Sequence, residues 1–155
     1  MPAIRPGARG AVISGWGTAL PEKVVTNDEL AATMDTSDEW IRSRTGIEER
    51  RVGGTTIGLS IESGRQAVVL AGLDPSRIDA LVLATCTPDK QWGSAAAVQH
   101  ELGLRCGAID VNAACPGFMY ALVTAHGLIA MGADRVLVIG TDSLSRITDS
   151  TDRAT

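Results

Sequence analysis

The run that most constrains the fold is Ile109 to Ala133, IDVNAACPGFMYALVTAHGLIAMGA. It opens as a short apolar stretch (Ile109, Val111) and turns through small residues (Ala113, Ala114). It then becomes a long helical pattern in which Phe118, Leu122, Ala125, Leu128 and Ile129 share one stripe. Cys115 falls at the joint between strand and helix. Unpaired N–H groups and the macrodipole at a helix N-terminus favour an anion, so a thiolate forms there more readily than in free cysteine. Pro116 suits the first helical position, where its missing N–H costs nothing. A buried structural thiol is the commoner role of a lone cysteine, and this stretch alone leaves both roles open.

The rest of the chain alternates strands with helices. Ala11 to Gly17 (AVISGWG) reads as a short strand running into glycines, and Leu20-Pro21 then leads away from any helix. G-W-G after a strand invites a dinucleotide site, but the third glycine is absent and Pro21 follows, so that reading is rejected. Thr26-Asn-Asp-Glu29 and Thr36-Ser-Asp-Glu39 have the form of capping boxes and predict two short helices. Trp40 and Arg44, four residues apart, lie on one face of the second. Their planes suit a nucleotide base, although an indole packed on an arginine stem is the simpler arrangement. Ile57, Ile61, Gly64, Val68 and Ala71 form the inner stripe of a helix stopped by Gly72, and Asp74-Pro75-Ser76 makes the turn after it. Asp79–Thr85 (DALVLAT) and Arg135–Gly140 (RVLVIG) are continuous apolar strands of the kind buried on both faces, and Ser94–Leu102 is a helix. The implied architecture is α/β, a layered sandwich on a mostly parallel sheet. Residues 1–10 read as a flexible lead-in and 11–155 as one domain. The polar tail TDSLSRITDSTDRAT is either a disordered end or the point where a larger fold is interrupted.

Composition narrows the function. The 155 residues are 45% hydrophobic and 21% charged, as expected of a soluble globular chain, and a net charge of −4 argues against a nucleic-acid binder. Cys86, Cys106 and Cys115 lack CxxC spacing, so no metal site or disulfide framework is expected, and a reducing cytoplasm is the natural compartment. No apolar run is long enough to span a membrane. A cysteine nucleophile usually needs a base, and only two histidines are present. His126 lies three turns along the Cys115 helix, roughly 16 Å away, beyond hydrogen-bond reach. His100 reads as a solvated surface residue, and Asn112 as a partner for backbone groups at a strand end. The chain therefore offers a nucleophile and no base.

Three segments in order, TSDEWIRSRTGIEERR (36–51), DVNAACPGFMYAL (110–122) and GTDSLSRITDSTDRAT (140–155), closely resemble the N-terminal part of β-ketoacyl-acyl-carrier-protein synthase III, a thiolase-fold condensing enzyme. The resemblance implies a thiolase-like sandwich that takes an acyl group from acyl-CoA onto a cysteine and joins it to malonyl-carrier protein with loss of carbon dioxide, starting fatty-acid or polyketide chains. It implies a homodimer, acyl-CoA as substrate and no further cofactor. Cys115 matches the nucleophile, whose own backbone N–H serves in the oxyanion hole. Trp40 and Arg44 match the residues that hold the CoA adenine, with Arg153 on the other side of the base and Thr36 as a further CoA contact. Trp92 matches an aromatic that reaches into the partner's acyl pocket, and Cys86 and Leu144 match pocket-lining positions. The same fold also supports acyl transfer to oxygen or nitrogen acceptors, and a chain of this kind can bind CoA or dimerise without turnover.

The chain departs from the family pattern at Pro116, Ala154 and Gly93, where alanine, glycine and proline are common. The family's catalytic His and Asn lie in a second half, which this sequence does not contain. An isolated chain is therefore expected to be neither stable nor active, because an unfinished sheet leaves an edge and an apolar face uncovered. The Arg42, Arg44, Arg50 and Arg51 group is a further candidate for attracting CoA phosphates or an acidic carrier protein.

Overall fold

The computed structural model describes residues 9–150 and 152. Arg153 and residues 1–8 of the lead-in lie outside the described residues. The chain forms two compact units, one made of the residues up to Ala19 with Thr56–Asp142, the other of Leu20–Thr55 with the residues from Ser143 on.

The smaller unit holds strands β1 (Lys23–Thr26) and β2 (Glu49–Val52), paired antiparallel with Val24 opposite Arg51, and helices α1 (Asn27–Ala31) and α2 (Asp38–Thr45). Thr26 caps α1 as its sequence predicts, its hydroxyl accepting from the Glu29 N–H while Glu29 accepts from the Thr26 N–H. The second cap falls one residue later than the T-x-x-E spacing suggests. Ser37, not Thr36, accepts from the Trp40 N–H, because the extended backbone at Ser37 aims its hydroxyl at the open first turn. Asn27 is the hub of this unit. It is 1% exposed, donates to Asp38 Oδ1 and to the Ile47 carbonyl at 2.8 Å each, and accepts from Arg50 at 2.7 Å. A buried amide satisfied in this way ties α1, α2 and β2 together. The polar tail begins in order: Leu144–Arg146 form a 3₁₀ turn, and the Ser143 hydroxyl donates to the Gly54 carbonyl at 3.1 Å.

The larger unit is built on three parallel strands, β3 (Ala80–Ala84), β4 (Gly107–Val111) and β5 (Val136–Gly140), in the order β4-β3-β5. Helices α3 (Thr56–Leu70) and α4 (Ala95–Glu101) pack on one face against Leu81, Leu83, Leu137 and Ile139. Helix α5 (Gly117–Ala130) covers Val82 and Ala84 on the other. The central strand β3 is buried on both faces, which is why its sequence shows no alternation.

Two expectations change here. The Ala11–Gly17 segment forms no strand. It crosses α3, where a Cβ at Gly15 would stand 2.2 Å from the Ala67 carbonyl and one at Gly17 2.2 Å from that of Ser63, and no strand among the described residues lies beside it to build a ladder. The buried face of α5 is also rotated. Gly117, Ala121 and Ala125 face the sheet, whereas Phe118, Met119, Tyr120 and Val123 are exposed. Small residues let the helix lie close to the strands, and that proximity outweighs the burial available to a larger side chain. Gly140 serves the same packing, since a Cβ there would stand 2.7 Å from the Phe118 ring.

Candidate active site

Within the larger unit, the C-terminal edge of the parallel sheet gathers Cys115 and Cys86. Cys115 is exposed on the turn between β4 and α5. Pro116 proves to be the N-cap rather than the first helical residue, so Cys115 lies one step outside α5. The turn is tight: the Gly117 N–H donates to the Ala114 carbonyl at 2.9 Å, and Ala114 takes a left-handed φ of 47°. A non-glycine residue in that region stores strain, a feature that clusters at functional sites.

Cys86 follows β3 at the same edge, on a loop held by Asp142. Asp142 Oδ1 accepts from the Cys86 N–H at 2.8 Å and from the hydroxyls of Thr85 at 3.0 Å and Thr87 at 3.3 Å. Burial pushes the Cys86 thiol above its ordinary range, and both Asp142 and the nearby Cys115 sulfur add in the same direction. Cys86 therefore stays protonated. Burial opposes the charge on Asp142, but its bonds from Cys86, Thr85 and Thr87 outweigh it and hold the carboxyl below the usual range. A carboxyl lowered in the folded state contributes stability that is full above its unfolded pKa of about 3.9 and fades as pH falls through the folded value. Denaturant midpoints measured across that acid range are expected to fall less steeply with Asp142→Asn than with the parent protein.

The loop after Cys86 carries Trp92, which is 84% exposed. Its base is tied down by carboxylates: Asp89 accepts from the Ile57 N–H at 2.6 Å, and Asp110 from the Ser94 N–H at 2.8 Å. Asp89, Asp110 and Asp142 were not singled out by sequence. Their one sequence signal is position: Asp110 lies in β4, Asp142 just after β5, and Asp89 on the loop that follows β3.

In the smaller unit, the Arg44 guanidinium lies over the Trp40 ring, 4.4 Å from its centroid. Arg44 must swing aside before a base can enter between the two planes, because a sandwich needs two stacking gaps of about 3.5 Å each. The other arginines of the basic group are engaged. Arg50 is bonded to Asn27 and the Val25 carbonyl, Arg42 pairs with Glu48 at 2.8 Å, and Arg51 pairs with Glu49 at 3.7 Å. Leu144 is exposed on its 3₁₀ turn. Among the described residues no group of three potential ligands can hold a metal ion, and no helix is long and apolar enough to cross a membrane.

The family profile described as 3-oxoacyl-[acyl-carrier-protein (ACP)] synthase III matches residues 109–155, the stretch that contains Cys115. The β-ketoacyl-[acyl-carrier-protein] synthase III of Erythrobacter litoralis is 52% identical over 151 residues, covering 94% of this chain and 47% of the relative. The chain is similar to synthase III over nearly its whole length. The crystal structure of the synthase III from Aquifex aeolicus superimposes with a TM-score of 0.91 at 43% identity, over 94% of this chain and 49% of that one. The priming β-ketosynthase of the R1128 polyketide pathway gives a TM-score of 0.89 at 34% identity, over 99% of this chain and 48% of that one. The α/β, thiolase-like layered sandwich is thus the fold of this chain. The chain spans about half the length of the synthase III relatives it matches.

Proposed function

We propose that this chain supplies the nucleophile-bearing part of a condensing enzyme that starts fatty-acid or polyketide synthesis. Cys115 takes an acyl group from acyl-CoA. Its sulfur attacks the thioester carbonyl, CoA leaves as the thiol, and the acyl-enzyme is then consumed by malonyl-carrier protein with release of carbon dioxide. Trp40, Arg44, Thr36 and Arg153 hold the CoA, and Cys86, Trp92 and Leu144 line the acyl pocket. The enzyme acts as a cytoplasmic homodimer, with no cofactor beyond its acyl-CoA substrate. The observation that carries this reading is the exposed Cys115 sulfur on a strained turn at the C-terminal edge of a parallel sheet.

One observation favours a second reading for the chain by itself. His126 lies on α5 well beyond Cys115 and His100 is exposed on α4, so neither supplies a base beside the sulfur. On that reading the 155-residue chain binds CoA or dimerises without turnover. Radiolabelled acyl-CoA separates the two. Label that survives denaturation and maps to the Cys115 peptide in the full-length protein supports the enzyme, whereas label lost on gel filtration supports binding alone. Carbon dioxide released from malonyl-carrier protein by the labelled enzyme distinguishes carbon–carbon bond formation from acyl transfer to an oxygen or nitrogen acceptor.

A further inference from the structure

The turn that carries Trp92 is clamped at both ends and free at its tip. On the entry side, the Thr56 hydroxyl donates to the Thr87 carbonyl at 2.6 Å, and Asp89 accepts from the Ile57 N–H at 2.6 Å. Across the base of the loop, the Asp89 N–H donates to the Ser94 hydroxyl at 2.9 Å. On the exit side, the Asp110 carboxylate accepts from the N–H groups of Ser94 at 2.8 Å and of Ala95 at 3.1 and 3.2 Å. Between these anchors Lys90–Gly93 makes one tight turn, with the Gly93 N–H on the Lys90 carbonyl at 3.0 Å.

Gly93 and Asp110 are matched. Gly93 has a φ of +104°, a conformation that side chains rarely adopt, and a Cβ there would stand 2.4 Å from Asp110 Oδ2. The carboxylate therefore sits where only glycine leaves room. Asp110 cannot drift away, because β4 is laddered to the central strand with Asp110 opposite Leu83. β4 ends one residue later at Val111, so Asp110 ties the exit of the Trp92 turn to the C-terminal edge of the sheet.

We propose that Asp110 is a positioning residue which, together with Gly93, fixes the direction of Trp92 and so determines which acyl chains are accepted by the acyl pocket that Trp92 enters in the partner subunit. The proposal rests on the acyl-pocket reading of Trp92 given above. Its test is the ratio of kcat/KM for a short acyl-CoA to that for a long one, measured on the full-length protein. Within one preparation the ratio is independent of how much enzyme is folded, so a merely structural role leaves it unchanged. Asp110→Ala is expected to shift it by about tenfold, the scale on which a pocket discriminates small changes of chain. Asp110→Asn, which keeps an acceptor for the Ser94 N–H, restores the parent ratio. Gly93→Ala shifts the ratio, and the double variant shifts it no further than Gly93→Ala alone. A parent-like ratio in Asp110→Ala, or an equal shift in Asp110→Asn, overturns the proposal.

Fluorescence anisotropy of Trp92, in a protein whose other tryptophans are phenylalanine, judges the clamp without turnover. Faster local motion in Asp110→Ala supports it, and unchanged motion rejects it. If the parent protein loads no acyl group on Cys115, the functional reading fails and the selectivity claim falls with it, while the anisotropy still decides whether Asp110 holds the turn.

Discussion

Replacing Cys115 with serine is expected to abolish acyl loading from radiolabelled acyl-CoA while leaving CoA affinity nearly intact. The substitution exchanges one atom at an exposed position, so folding is not at stake. What changes is the nucleophile, since a hydroxyl without a neighbouring base is far weaker than a thiol. CoA affinity is expected to persist because the residues proposed to hold CoA, Trp40 and Arg44, lie on α2 and not beside Cys115 in the chain. Loading that survives in Cys115→Ser would assign the acyl group to Cys86 or Cys106. Burial raises both of those thiols away from the reactive thiolate form, so neither is the expected acceptor.

The largest expected loss of stability comes from Leu83→Ala. Leu83 has no exposed surface, lies within the central strand and packs among Leu81, Val98, Leu102 and Ile139 between α3, α4 and the sheet. Removing its branched end leaves a cavity that a sheet paired on both sides cannot close, at a cost of about 3 kcal/mol. That is a substantial part of a typical domain's total of about 5–15 kcal/mol. Val69→Ala, on the exposed side of α3, is expected to change stability by less than about 0.5 kcal/mol. Denaturant midpoints of the two variants in the full-length protein provide the comparison, and equal midpoints would contradict the placement of the core.

The elements that sequence predicts well are those governed by local chemistry. β3 and β5 are apolar runs too short for helices, and the capping box at Thr26 reports a bond made within four residues. What sequence misses depends on distant neighbours. AVISGWG has the pattern of a strand, yet a strand exists only where another lies beside it. The antiparallel pair of β1 and β2 carries no clear sequence signal, because Glu49, Arg50 and Arg51 hide its alternation under charge. The sequence stripe on α5 includes Ala125 and Leu128, which do pack inward, but it misses Gly117 and Ala121 and places Phe118 inside. Large apolar side chains give the stronger signal, while the sheet accommodates the smallest. At the candidate site, Cys115 was visible because the strand-to-helix joint is contiguous. The grip of Asp142 on Cys86 spans 56 residues and that of Asp110 on Ser94 spans 16, so neither leaves a local trace.

The seam of Gly117, Ala121 and Ala125 acts as the bearing on which α5 rests, with the sulfur carried just beyond one end. Ala125 lies about 12 Å along the axis from Gly117, so a tilt of about 10° raised by a bulkier residue there would swing the cysteine through about 2 Å. Displacements of that size are ruinous for a bond that must form at near-contact distance. If Cys115 is the nucleophile proposed above, its chemistry is thus open to mutation at positions far from it, and a change of methyl to isopropyl at Ala125, three turns away, is expected to lower acyl loading while the sulfur itself remains untouched.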